Sequence, residues 1–252
     1  MRNSLGFKAS LISLAATALL SACGGHDSKP PAEVVTISTP AVFEVTLVNL
    51  TAGQPLTPLV AVAHDDGFKL FNLGESASVE LERLAEGGET APLVALASSS
   101  KSVFASAVGT GGPLLPGAGN KSTVYLTVPV ASLPNLRLSL ASMMGNTNDG
   151  FTGVNAQSLA QLAAGGSTTL RLLAYDAGTE RNTESADTVP GPATANSGGK
   201  REAFNPVRDD VINVVHIHPG IVSKDDGLPT SALTQMHRWD NPVATLTIKR
   251  TQ

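Results

Sequence analysis

The chain has one cysteine, Cys23, in 252 residues, so it can form no internal disulfide. It also lacks an apolar run long enough to span a bilayer as a helix. Residues 11–20 (Leu-Ile-Ser-Leu-Ala-Ala-Thr-Ala-Leu-Leu) are apolar for ten residues, whereas a hydrocarbon core of roughly 30 Å needs about 20. Basic charge is in short supply: 17 Lys and Arg stand against 21 Asp and Glu, a net charge of −4. That balance argues against a nucleic-acid partner, which requires a basic face. There is no Gly-x-Ser-x-Gly element, no phosphate loop and no Cys-His pair. Hydrolase and nucleotide-enzyme chemistries therefore have no residues to rest on.

What is present begins with an address. Arg2 and Lys8 precede the apolar stretch 11–20, and Leu20-Ser21-Ala22-Cys23 follows it. A positive start, a short apolar centre and small residues closing on a cysteine form an export signal rather than a folded element. The last four residues resemble the bacterial lipobox, which makes Cys23 the acylated N-terminus of the mature protein. Each buried methylene of an acyl chain contributes roughly 0.8 kcal/mol, so two or three chains hold a protein stably on a bilayer. Gly24 stands where an inner-membrane lipoprotein often has Asp. The expected location is the bacterial cell envelope, at the outer membrane, facing the periplasm or the cell surface. Residues 24–33 are rich in Gly and Pro without apolar periodicity and read as a tether. The expected organisation is a signal peptide over 1–22, a lipidated anchor and tether over 23–38, and one domain over 39–252.

Several segments of that domain alternate apolar and polar residues with period two, as strands with one buried face do. Phe43, Val45 and Leu47 oppose Glu44 and Thr46; Val124, Leu126 and Val128 oppose Tyr125 and Thr127. Leu136, Leu138 and Leu140 form a third such face, and Ala244, Leu246 and Ile248 a fourth. Residues 170–175 and 211–217 are more continuously apolar and read as central strands. Helical pattern is confined to 76–86, with Val79, Leu81, Leu84 and Ala85 on one side, Glu on the other, and Gly87-Gly88 as a stop. A turn is expected near 156–164. Strands separated by Gly, Pro, Asn and Asp clusters predict an all-β antiparallel sandwich with one or two short helices. Residues 181–202 have little to bury and read as a long exposed loop.

The chemistry-bearing residues gather where strands end. Asn148-Asp149-Gly150-Phe151 follows one strand, and Tyr175-Asp176-Ala177-Gly178-Thr179-Glu180 follows another. Asp176 and Glu180 flank a glycine that lets the chain turn sharply, so both carboxylates can point at one ion, with Asp149 as a third. Like charges so close repel by several kcal/mol in a partly desolvated site. Hard carboxylate oxygens suit Ca²⁺ better than Zn²⁺. Asp and Gly at strand ends are also ordinary turn formers, and spacing alone leaves both readings open.

Asp149-x-Phe151-x-Gly153-Val154, with Tyr175-Asp176-Ala177-Gly178-Thr179-Glu180, resembles the spondin N-terminal (F-spondin) domain family. The likeness continues in Phe43-x-Val45-Thr46-Leu47-x-Asn49-Leu50-Thr51, Gln54-Pro55-x-x-Pro58, His64, Leu84-Ala85-Glu86-x-Gly88 and the closing Asn241-Pro242-Val243-Ala244-x-Leu246-Thr247-Ile248. The resemblance implies a C2-like sandwich with a calcium ion at one loop end, and Asp149, Asp176 and Glu180 as its side-chain ligands. Glu180 departs from the Asp usual in animal members. A further Glu found on a preceding strand of some members has no counterpart near 125–128.

Other candidates read as structural. His216-x-His218 reads as two imidazoles paired on an exposed strand face without a visible third ligand. His64-Asp65-Asp66-Gly67 and Asp225-Asp226-Gly227 have turn chemistry, and Trp239 reads as a plug. The expected function is a membrane-anchored, non-enzymatic, calcium-binding adhesion or ligand-binding module. Its partners would be the bilayer, through acylated Cys23, and a protein or glycan ligand. Two readings compete: an envelope enzyme using His216 or His218 with the carboxylates as acid-base groups, and a structural lipoprotein whose carboxylates bind nothing. A pocket holding His216 with Asp176 would favour the enzyme, and a flat histidine face would dismiss it.

Overall fold

A computed structural model describes residues 39–117 and 120–252. The expected signal sequence, Cys23 and the tether to residue 38 lie outside the described residues. In chain order the strands and helices are β1 (Ala41–Asn49), β2 (Val60–His64), α1 (Val79–Gly87), α2 (Thr90–Ser99), β3 (Val103–Val108), β4 (Lys121–Val128), β5 (Arg137–Met143), β6 (Gly150–Ser158), β7 (Ser167–Leu172), β8 (Ala174–Asp176), β9 (His216–Ile217) and β10 (Ala244–Arg250).

Alternation builds the first layer. In β1 the odd-numbered residues are buried and the even ones half-buried, as a pleated strand over a core requires. Val45 lies opposite Val124 of β4 on one side and Ile248 of β10 on the other. With β7 these make a four-stranded antiparallel sheet in the order β4-β1-β10-β7. The four faces read from the sequence are the ones buried: Phe43, Leu126, Leu138 and Leu246 all belong to the core between the sheets.

The second sheet has the order β3-β2-β5-β6-β8-β9 and is covered on both faces. Every residue of β2 is buried. Ala61 and Ala63 face the first sheet, while Val60 and Val62 pack with Leu81, Leu84, Leu93 and Ala97 of the helices. The fold is thus a β-sandwich with a helical layer outside its larger sheet. Each buried leucine in these clusters contributes roughly 1.5–3 kcal/mol.

α1 forms where the pattern predicts. The Ser78 hydroxyl caps it by accepting from Leu81 N–H at 3.2 Å, and Gly88 ends it in the left-handed region at φ 68°. The chain then enters α2, which the sequence reading misses because Thr-Ala-Pro-Leu-Val-Ala-Leu-Ala-Ser-Ser carries no clear 3.6-residue stripe; only Leu93 and Ala97 of it are buried.

Two expected strands are corrected. Residues 170–175 are not one strand: β7 ends at Leu172, paired with Ala244 in the smaller sheet, and Ala174 starts β8, paired with Thr152 in the larger. Residues 211–217 are not central either. Only His216 and Ile217 are strand, at the sheet edge beside a three-residue β8 that offers no longer ladder. Val211 is 83% exposed. The 181–202 segment is a loop but not a bare one. Val189 and Thr194 are buried, Val189 packing with Ile221, Leu233 and Trp239.

Candidate metal centre

The acidic loops meet because β6 and β8 pair with Gly150 opposite Asp176. Asp149, one residue earlier, therefore lies beside the residues after Asp176, and its carbonyl accepts from Ala177 N–H at 3.2 Å. Gly178 turns the chain at φ +71°, where a Cβ would stand 2.5 Å from Val214 N and O. Its N–H donates to Asp176 Oδ1 at 2.8 Å.

The loop after β8 wraps one oxygen of Asp149. Oδ2 accepts from Thr179 N–H at 2.7 Å, the Thr179 hydroxyl at 3.1 Å and Glu180 N–H at 3.1 Å. Asp149 Oδ1 is buried without a partner, and so is Glu180 Oε2. The three residues singled out in the sequence are each buried near the ends of β6 and β8, but among the described residues the acids and histidines that bring ligand atoms within 4.8 Å of one another are Asp176, Asp210 and His216, not Asp149, Asp176 and Glu180. The 181–202 loop roofs them, with Asn148 Nδ2 donating to Thr188 Oγ1 at 2.6 Å and Ala193 N–H to Asn146 Oδ1 at 2.9 Å.

The acids extend further than the sequence reading finds. Glu86 of α1 is buried, with Oε2 accepting from Asn205 N–H at 2.8 Å and Oε1 partnerless. Buried Glu184 accepts from Val222 N–H at 3.3 Å through Oε1, and its Oε2 is partnerless. Glu82, Glu86, Glu180, Asp149, Asp176 and Glu184 form a chain in which each repels the next. Burial, ahead of that repulsion, pushes Glu180 up to about 9 and Glu86 and Glu184 to about 7. Burial and then Asp176 raise Asp149. Arg208 pairs with Glu82 at one end of the chain, at 2.6 Å. The sequence signal for Glu86 was its place in Leu84-Ala85-Glu86; nothing local marked Glu184.

The histidine face is not exposed, which corrects the sequence reading. His216 lies opposite Asp176 in the β8–β9 ladder, with Nε2 3.8 Å from Asp176 Oδ2. His218 Nε2 is 4.0 Å from the same oxygen, its side chain fully buried beneath the edge of Trp239. Burial lowers the His218 pKa, against the opposing pull of Asp176. Period-two spacing placed both rings on one face; which face was set by pairing with β8. Trp239 packs against two core clusters, as a plug does. His64 bonds Ser139 Oγ at 2.8 Å, and Asp65 and Asp226 close turns by accepting from Gly67 N–H and Ser223 N–H.

The family model described as Spondin_N matches residues 51–196, more than half of the 252-residue chain. The chain belongs to the Spondin_N family. No curated protein matches it. Membership in Spondin_N points to an extracellular ligand-binding module. The matched stretch contains Glu86, Asp149, Asp176, Glu180 and Glu184 and ends before Asp210, His216, His218 and Trp239.

Proposed function

We propose that this Spondin_N domain is a calcium-binding, non-enzymatic adhesion or ligand-binding module, held at a bacterial outer membrane through acylated Cys23. The observation that carries the reading is the pair of buried, partnerless oxygens on adjoining loops, Asp149 Oδ1 and Glu180 Oε2. Ionised without a partner, each carboxylate loses hydration at a cost of several kcal/mol. An all-oxygen donor set of this kind fits a hard divalent cation. Asp149, Asp176 and Glu180 would hold it once their oxygens draw together around it, and the ion would supply the positive charge that buried Asp149 and Glu180 lack. Its structural effect would be to tie the ends of β6 and β8 to residues 177–180. The partner class is a protein or glycan. A cleft of about 410 Å³ lined by Pro55, Leu56, Leu115, Met143, Pro190 and Arg201 adjoins the roofing loop and offers an apolar surface for it.

Extracellular calcium modules bind with Kd of roughly 10⁻⁴ to 10⁻³ M. About 10 mM calcium should then stabilise the protein by ~1–3 kcal/mol over its chelated form, raising Tm by roughly 3–10 °C for a domain of this size. Asp149→Asn and Asp176→Ala should remove the shift. A Tm indifferent to calcium, together with no uptake in equilibrium dialysis, would return the reading to a structural lipoprotein without metal. For the anchor, mass spectrometry of the N-terminal peptide should find acyl chains on Cys23, and Cys23→Ala should release the protein from membranes.

A further inference from the structure

We infer that Asp176, Asp210 and His216 form a second metal site, sharing Asp176 with the first but adding a nitrogen ligand, that takes a divalent transition ion of the zinc class. One ligand atom from each of the three lies within 4.8 Å of the other two. His216 Nε2 and Asp176 Oδ2 are 3.8 Å apart. That is too long for a hydrogen bond and close to the roughly 3.3 Å edge of a tetrahedron built on zinc bonds of about 2.0 Å. Half-buried His216 and Asp210 would have to draw in from separations of up to 4.8 Å to complete it.

The protonation of the rings points the same way. His216 Nδ1 lies 2.9 Å from Val214 O, an atom that can only accept, so Nδ1 carries the hydrogen. With Nδ1 so committed, Nε2 is the nitrogen left to a metal, and it faces Asp176 Oδ2, which also accepts from Asn182 Nδ2 at 2.8 Å. Fixing the ligand tautomer through the ring's other nitrogen is how metal-binding histidines are commonly held. His218 supplies the second, independent sign. Its side chain is fully buried, its Nε2 has no partner, and that atom is aimed at Asp176 Oδ2 from 4.0 Å. Because His218 Nδ1 accepts from Gly220 N–H at 3.1 Å, its Nε2 keeps the proton in the neutral ring. His216 is thus assigned as the nitrogen ligand, while His218 Nε2, buried and partnerless, faces the same Asp176 oxygen from 4.0 Å without hydrogen-bonding it. Imidazole with carboxylates selects zinc, cobalt or copper over calcium. The site does not rest on calcium at Asp149 and Glu180.

The test titrates the metal-free full-length protein in detergent with Zn²⁺ and, for its visible spectrum, Co²⁺. One equivalent should bind, with His216→Ala and Asp210→Asn each weakening Zn²⁺ by tenfold or more, while both variants keep the calcium-induced rise in Tm. Asp149→Asn should do the reverse, losing the calcium response and retaining zinc. Loading unaltered protein with Cu²⁺ should give spin-echo modulation from the remote nitrogen of one coordinated imidazole, a readout that depends on no variant folding. Zinc affinity unchanged in both His216→Ala and Asp210→Asn, or copper without the imidazole signature, overturns the site and leaves His216 and Asp176 as an ion pair.

Discussion

Glu180 and Glu86 have ordinary values near 4.5, raised in the fold to about 9 and about 7. Between those limits the folded state holds protons that the unfolded chain has released, so stability must fall as pH rises. The contribution is complete below about pH 4 and lost as pH climbs through 7 to 9. Metal-free protein should accordingly melt lower at pH 9 than at pH 6, and Glu180→Gln should flatten that slope in melts run with chelator. Calcium should flatten it too, because a bound cation replaces the protons. The pattern of 76–86 assigns Glu to a solvent side of the helix, and for Glu82 and Glu86 that fails. They are buried because residues from the 203–208 segment, distant in sequence, donate to them from Asn205 N–H and the Arg208 guanidinium. A helix period tells which residues share a side; it does not tell what covers that side.

The sheet switch at Leu173 sets where the candidate site stands. β7 ends in one sheet and β8 begins in the other, which brings Asp176 against β6 and carries the next residues across Asp149. Gly178 makes that crossing possible. Gly178→Ala meets both an unfavourable φ and Val214 backbone atoms 2.5 Å away, so it should cost about 1–3 kcal/mol in urea denaturation and weaken calcium binding. Gly198→Ala, at φ +75° with open space around it, should cost less and leave calcium binding intact. Amphipathic strands such as β1 and β10 were legible because their alternation is a local property. The Tyr175 to Glu180 run was legible as a motif. The break at Leu173 and the shortness of β9 were not, since continuous apolar runs mark burial without saying in which sheet.

At the level of the whole molecule, two sheets and a helical layer share their burial through the larger sheet, and the smaller sheet depends on its centre. Leu246→Ala in β10 removes a fully buried side chain between β1 and β7 and should cost about 2–5 kcal/mol, read as a lower urea midpoint. A chain stopped at Asn241 should lack native near-ultraviolet circular dichroism, because it loses the strand to which β1 and β7 both bond. The pairing of β1 with β10 joins the two ends of the described sequence. A polypeptide delivered amino end first keeps that seam open until residues 244–250 arrive, since two segments distant in sequence must meet before the sheet can close. Under the export proposed above, late closure would leave the chain pliable enough to thread a narrow pore and let it set only once across.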